Sequence, residues 1–266
     1  MSENRAQGMR VAVAGATGTV GRHVVDVARE HGHEVVPLTR STGVDLTTGS
    51  GLTERLAGVD AVVDVTNALV RSRQDAEAFF GGVTRTLLAA ERAAGVGHHV
   101  ALSIIGVDDV PWGYYQGKQL QERLVAASGQ GWSVLRAAQL HEFAGQVLDA
   151  ARLGPVSLVP RMLSQPVAGR EVGEALVDLV ERGPQGRVPD LAGPEVLLLH
   201  RASRRLVRAR ALRRLVVPVP MPGAAGRGMR DGSLTAQGDP GAAVGRTTFD
   251  AWLAALPGAG DGARVR

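Results

Sequence analysis

The chain contains no cysteine, which excludes disulfides, thiol nucleophiles and thiolate metal sites and is compatible with a reducing cytoplasm. No run of ~18 uninterrupted apolar residues occurs, and the opening MSENRAQGMR has no apolar stretch ahead of the first strand-like segment. Neither export nor membrane insertion is signalled, so a folded cytoplasmic protein without a membrane partner is expected. Aromatic residues make up only 3% of the chain, and of its 30 lysines and arginines just one, Lys118, is a lysine.

The basic excess is local. Residues 201–266 hold 12 basic and 4 acidic side chains, although the whole chain of 266 residues carries a formal charge of only +4. Most of the excess lies in RASRRLVRARALRR, residues 201–214. There Leu206, Val207, Ala211 and Leu212 form an apolar helical stripe ringed by arginine, which reads as a solvated amphipathic helix. With no aromatic interleaving and no helix-turn-helix pattern, nucleic acid is not an expected partner.

What is abundant is apolar sequence, 44% of the chain, arranged as strand-like runs at 10–15, 34–40, 43–46, 60–67, 98–106 and 132–136. Helical patterns at 20–31, 76–94 and 114–128 lie between them. Alternation of this kind predicts an α/β fold, a Rossmann-like doubly wound parallel sheet with helices on both faces. One domain over 1–266 is expected, with a core at about 9–136 and a small C-terminal substrate-side lobe at about 137–256 packed on it. The lobe would hold helices at 171–182, 201–214 and 246–256, an extended piece near 187–191, VVPVP at 216–220, and a long loop or lid at 221–246. Residues 257–266 are expected to fray.

RVAVAGATGTVGRHVV places Gly15, Gly18 and Gly21 directly after a strand and at the opening of a helix, the setting a dinucleotide fingerprint requires. Gly15 permits the tight turn, Gly18 lets backbone amides approach a pyrophosphate, and Gly21 lets helix and strand pack closely. The bare N–H groups and the dipole of the helix start favour the anion. Past the second strand, where an NAD site places a carboxylate ~20 residues beyond the loop, the sequence reads PLTRST. Arg40 therefore favours NADP(H) over NAD(H), or is an ordinary solvated arginine. Asp45, at the end of the run 43–46, is available to the adenine amino group and equally to a turn in DLTTG.

Lys118 follows Tyr114 by four residues, so on a helix the two share a face. A phenol with a pKa near ~10 is a poor proton carrier at neutral pH, and a neighbouring ammonium lowers it by Coulomb attraction. A compact lysine does this, and holds a nicotinamide ribose, in a way a forked arginine does not. Ser103, at a strand end, supplies a hydroxyl for a substrate oxygen. In the plainer reading Tyr114 and Tyr115 pack and Lys118 is solvated; of the two tyrosines, Tyr114 has the better spacing.

GATGTVG, DVTN, LSIIGVD, GYYQGKQLQERLVAASG and VLRAAQLHEF, in order over about residues 9–200, resemble the short-chain dehydrogenase/reductase superfamily, and within it the atypical NmrA-like NAD(P)-binding branch. The resemblance implies cofactor contacts from Gly15, Thr17, Gly18, Thr19, Val20, Gly21 and Arg40, with Thr66 and Asn67 on the nicotinamide side and Lys118 on its ribose. It implies catalytic roles for Ser103, Tyr114 and Lys118 by analogy. Two features depart from ordinary short-chain reductases. The loop is Gly-x-x-Gly-x-x-Gly rather than Gly-x-x-x-Gly-x-Gly, and the strand at 60–67 ends in VTN rather than Asn-Asn-Ala-Gly. Members of this branch include reductases, isomerases and dinucleotide sensors that perform no turnover.

Ala138, Gln139, His141 and Phe143, following the last core strand, are the candidates for the substrate side, or are loop-packing and capping residues. The pairs His31/His33 and His98/His99 have no acidic partner at helical ligand spacing, so no metal site is expected. The leading expectation is an NADPH-dependent oxidoreductase reducing a carbonyl, quinone or conjugated small molecule. The alternatives are a non-catalytic NAD(P)-sensing regulator and an epimerase or dehydratase that uses bound cofactor internally. Oligomeric state is left open.

Overall fold

The structure, a computed structural model, describes residues 8–70 and 72–256; the expected fraying of 257–266 lies outside them. The chain runs β1 (Arg10–Ala14), α1 (Thr19–Glu30), β2 (Glu34–Leu38), α2 (Leu52–Leu56), β3 (Ala61–Asp64), α3 (Arg73–Ala94), β4 (His98–Ile104), α4 (Gly113–Ala126) and β5 (Trp132–Ala137). It continues through α5 (Phe143–Ala150), β6 (Arg152–Leu153), β7 (Val156–Pro160), β8 (Leu163–Ser164), α6 (Gly169–Arg182), β9 (Gly186–Arg187) and β10 (Leu191–Ala192). The last elements are β11 (Leu197–Leu198), α7 (Leu199–Ala209), β12 (Leu215–Val219), α8 (Gly223–Gly228), β13 (Ala243–Val244) and α9 (Phe249–Ala255). Two compact units result, one of residues up to 136 together with 169–189, the other of 137–168 together with those from 190 onward.

In the first unit the strands lie in the order β2-β1-β3-β4-β5, with β9 beside β5. The pairs β1–β2, β1–β3, β3–β4 and β5–β9 are parallel. This is the doubly wound sheet, and its order reverses between β1 and β3, where such folds place their ligands. Val11, Ala12, Val13 and Ala14 are all fully buried, as a strand covered on both faces must be. Ala12 and Ala14 pack with Leu52 and Leu56 of α2 and Val83 and Leu87 of α3. Helix α1 packs against α6, and α3 against α4. Helix α3 starts where the Ser72 hydroxyl accepts from Asp75 N–H at 3.0 Å and stops at Gly95, φ +75°. Between those caps Ala76, Phe80, Val83 and Leu87 form its buried stripe.

The run 43–46 is not a strand. The Thr39 and Thr42 side chains cap a single 3-10 turn, Arg40–Thr42, and Gly43 takes φ +79°, which directs the chain into a loop. Ser103 therefore lies at the end of the fourth strand, one residue before its last, and AQLHEF follows the fifth.

In the second unit β7 pairs with β12 in parallel and with β6 antiparallel, while Leu191 of β10 pairs in parallel with Ala137 and with Ala243 of β13. The arginine helix begins at Leu199, buries Leu199, Ala202, Ser203 and Leu206, and ends at Ala209. Ala211 has φ +49° and Leu212 is exposed, so the expected stripe breaks after Val207. The stretch 221–246 contains α8 and β13 rather than loop alone.

Candidate functional site

β1 ends at Ala14, and Gly15 turns the chain with φ +84°, a conformation that glycine adopts without steric cost. Gly18 N–H donates to Gly15 O at 2.9 Å, and the first helical bond runs from Arg22 N–H to Gly18 O at 3.2 Å. A β-carbon on Gly21 would lie 2.0 Å from Gly15 O, so helix and turn touch through backbone alone. Gly18 caps α1 without a side-chain hydrogen bond, and the first turn has no acidic residue. The N–H groups of Thr19, Val20 and Gly21 thus precede any intrahelical acceptor. Thr17 and Gly18 are exposed, Thr19 is half-buried and Val20 is buried. A helix start that is uncapped, free of carboxylates and open at its glycine turn fits a diphosphate.

Arg40, at the C-terminal side of β2, is exposed, and among the described residues no ion pair engages it. Asp45 sits in the loop that replaces the expected strand, where its Oδ1 accepts from Thr47 N–H at 2.8 Å and Thr48 N–H at 3.4 Å. The Thr47 hydrogen bond, foremost, holds its carboxyl below the usual range against the cost of burial.

Around the carboxyl ends of β3 and β4 a buried polar chain forms. Lys118, 4% exposed, donates from Nζ to Leu102 O and to Gln121 Oε1, both at 2.8 Å. Gln121, 1% exposed, donates from Nε2 to Asp64 Oδ2 at 2.7 Å. The other oxygen of the fully buried Asp64 accepts from Thr66 N–H at 2.9 Å and from the Thr66 hydroxyl at 2.7 Å. Asn67 is exposed and its Oδ1 accepts from Ala68 N–H at 2.9 Å. Burial lowers the Lys118 pKa to about 8, with Asp64 and Glu122 opposing the fall.

The Leu102 carbonyl that anchors Lys118 precedes Ser103, whose buried Oγ has no hydrogen-bond partner among the described residues. Tyr114, half-buried on α4, sets its ring edge-on to Phe80 at 5.5 Å and to Tyr115 at 5.8 Å. The Lys118 ammonium lies over that same Phe80 ring, 4.7 Å from its centroid. Helical spacing predicts a phenol lowered by lysine. Instead burial raises the Tyr114 pKa, because Nζ reaches back to β4 and Gln121 and leaves the phenol in an apolar setting.

Gln139, His141 and Phe143 belong to the second unit. His141 is buried, shares a hydrogen bond of 3.1 Å between Nε2 and Thr247 O, and stacks near Phe249 and Trp252 at 5.4 and 5.5 Å. Gln139 accepts at its backbone oxygen from Val167 N–H at 3.0 Å. With Phe143, Ser164 and Leu199 these residues line a small cleft within that unit.

Both histidine pairs do have acidic partners, supplied by the fold rather than by local spacing. Glu181 Oε1 on α6 meets His31 Nδ1 at 2.8 Å and His33 Nε2 at 3.0 Å. Met9 N–H donates to His33 Nδ1 at 3.2 Å, so a neutral His33 carries its proton on Nε2, aimed at Glu181. Glu91 on α3 meets His99 Nδ1 at 2.9 Å with both side chains fully buried. Burial opposes charge on His99, but the Glu91 carboxylate and Asp64 prevail and its pKa is raised. Motif patterns single out neither Asp64 nor Gln121. The available signal was a carboxylate in the apolar run AVVDV, which must find a partner once buried.

The statistical model of a family described as NAD(P)H-binding matches residues 15–181. No curated protein matches the chain significantly. Among solved structures, the NADPH-dependent quinone oxidoreductase QOR2 of Escherichia coli, complexed with NADPH, is 19% identical with a TM-score of 0.62, covering 84% of this chain and 90% of that one. A nucleoside-diphosphate-sugar epimerase of Staphylococcus aureus is 15% identical with a TM-score of 0.63, over 92% and 99%. MoeE5, in complex with UDP-glucose and NAD, is 21% identical with a TM-score of 0.68, over 92% and 96%.

Proposed function

We propose that this chain, which belongs to the NAD(P)H-binding family, is an NADPH-dependent oxidoreductase of the atypical short-chain dehydrogenase/reductase type reducing a carbonyl, quinone or conjugated small molecule. The observation that carries the reading is the uncapped first turn of α1 behind Gly15, a ready seat for a diphosphate. Gly15, Thr17, Gly18, Thr19, Val20 and Gly21 would hold that bridge, with Thr66 and Asn67 at the nicotinamide side and Lys118 on its ribose. Exposed Arg40 would take a 2′-phosphate, which favours NADPH.

Reduced nicotinamide, when bound, supplies the hydride. The Ser103 hydroxyl, which has no partner among the described residues, would donate to the substrate oxygen and polarise it. Tyr114 then gives its proton to the developing alkoxide. Burial keeps this phenol protonated but makes it a weaker acid, so the transfer relies on the alkoxide being the stronger base. Lys118, an ammonium with three donors of which two are placed, keeps one for the ribose. NADPH consumption against a panel of carbonyls and quinones tests the reading, with Tyr114→Phe alongside; equal rates in that variant would remove Tyr114 from the mechanism.

A second reading, an NADP-sensing protein of the NmrA-like kind without turnover, is favoured by one observation: the Lys118 ammonium is committed to Leu102 and Gln121 rather than to Tyr114. Tight NADP binding without consumption on any substrate class would select it.

A further inference from the structure

We propose that Asp64, acting through Gln121, is the positioning residue of this site: it holds the Lys118 ammonium charged and fixed beside the Ser103 strand end. The inference rests on reading Lys118 as part of the active site. Three features of the first unit support it.

The hydrogen-bond polarity has only one consistent assignment. An ammonium donates and never accepts, so Gln121 must turn Oε1 toward Nζ, at 2.8 Å, and Nε2 toward Asp64, at 2.7 Å. Asp64 in turn meets only donors, Gln121 Nε2 and the N–H and hydroxyl of Thr66. A carboxylate accepts all three, whereas an asparagine would set its own N–H₂ against one of them. The surroundings make the charge necessary. A lysine 4% exposed has lost its water, and the Phe80 face at 4.7 Å replaces little of it. The other charged and titratable groups around it offer less. Glu122, on α4, is committed bidentately to Arg136 at 2.9 and 2.6 Å, and Arg136 also pairs with Asp108. Tyr114 on the same helix is neutral, while His99 on β4 is paired with Glu91 on α3. Finally, the chain joins the two ends of the candidate site, because Thr66 follows β3 and Lys118 is bonded to Leu102 at the end of β4.

Lys118 is the only lysine in the sequence, which makes a direct test possible. Protein grown with lysine isotopically labelled at Nζ gives one side-chain resonance, and its shift against pH is the titration of this group. The proposal expects the wild-type midpoint below the ordinary lysine value of 10.5. It expects Asp64→Asn to move that midpoint down by about one pH unit or more, with an unchanged circular dichroism spectrum. If Asp64→Asn does not fold, Gln121→Met keeps the carboxylate but cuts the chain and is expected to move the midpoint the same way, while Gln121→Glu moves it up. A midpoint unmoved in a folded Asp64→Asn or Gln121→Met protein overturns the proposal. Neither cofactor nor substrate enters the measurement. Failure here beside intact NADPH binding removes the relay and spares the oxidoreductase reading, and the converse result does the opposite.

Discussion

Gly21 lies so close to Gly15 that a β-carbon on it would stand 2.0 Å from the Gly15 carbonyl oxygen and 2.7 Å from its carbonyl carbon. Backbone cannot yield as a side-chain tip can, so Gly21→Ala must move α1 off the turn. Overpacking of this kind costs about 1–3 kcal/mol. The expected outcome is a lowered denaturation midpoint together with NADPH affinity weakened more than about tenfold, a loss of about 1.4 kcal/mol in binding. Stability and affinity are read by urea titration and by nucleotide fluorescence.

Arg40 is exposed, and its charge reaches Asp45, whose carboxyl it helps to hold low. A charged hydrogen bond to a 2′-phosphate is worth about 1.5–3 kcal/mol. Arg40→Ala should therefore weaken NADPH about ten- to a hundredfold and leave NADH nearly unchanged. Equal losses for both nucleotides would mean that Arg40 does not read the phosphate.

His98 is 4% exposed, and its Nε2 shares a hydrogen bond of 2.9 Å with Ser133 Oγ. Burial and, secondarily, the neighbouring His99 lower its pKa from 6.5 to about 4. A depressed folded pKa means the unfolded chain takes up the proton first as pH falls, so its contribution is complete above pH 6.5 and is lost toward pH 4. At pH 5 the loss is about 2 kcal/mol. His99, held charged by Glu91, has the opposite sign, its contribution being present at low pH and lost as pH rises. Urea midpoints at pH 7 and pH 5 should differ less in His98→Gln than in the wild type.

Glu91 and His99 form an ion pair with both side chains fully buried, at 2.9 Å. Removing one partner strands the other, at a cost of about 3–5 kcal/mol. Glu91→Met should show that loss, and adding His99→Leu should recover much of it, giving a large coupling energy in a double-mutant cycle.

The sheet was legible because a parallel strand buried on both faces must be nearly continuously apolar, as at VAVA and AVVD, and because Gly15 and Gly21 are demanded by backbone geometry alone. Helix α3 could likewise be read from its stripe, though its start at Ser72 lay four residues ahead of the periodic signal. The run GVDL misled because four residues of suitable composition do not encode the Thr39–Thr42 cap that turns the chain aside. The candidate residues could be named from the sequence, but their wiring could not. Tyr114 and Lys118 share a helix face, yet spacing does not tell where a long flexible side chain ends, and Nζ went to Leu102 and Gln121. Asp64 and Gln121 are 57 positions apart and Glu181 lies 148 from His33. Pairings of that range are set by the packing of α4 on α3 and of α6 on α1, which no local pattern contains.

Calorimetric titration of the purified protein with NADPH and with NADH tests the central claim most directly, since the bare amides of the first turn of α1 either bind a diphosphate or do not. The account predicts saturable one-site binding of NADPH, tighter than NADH and abolished or strongly weakened in Gly21→Ala. Absence of heat and of fluorescence change with both nucleotides would contradict it.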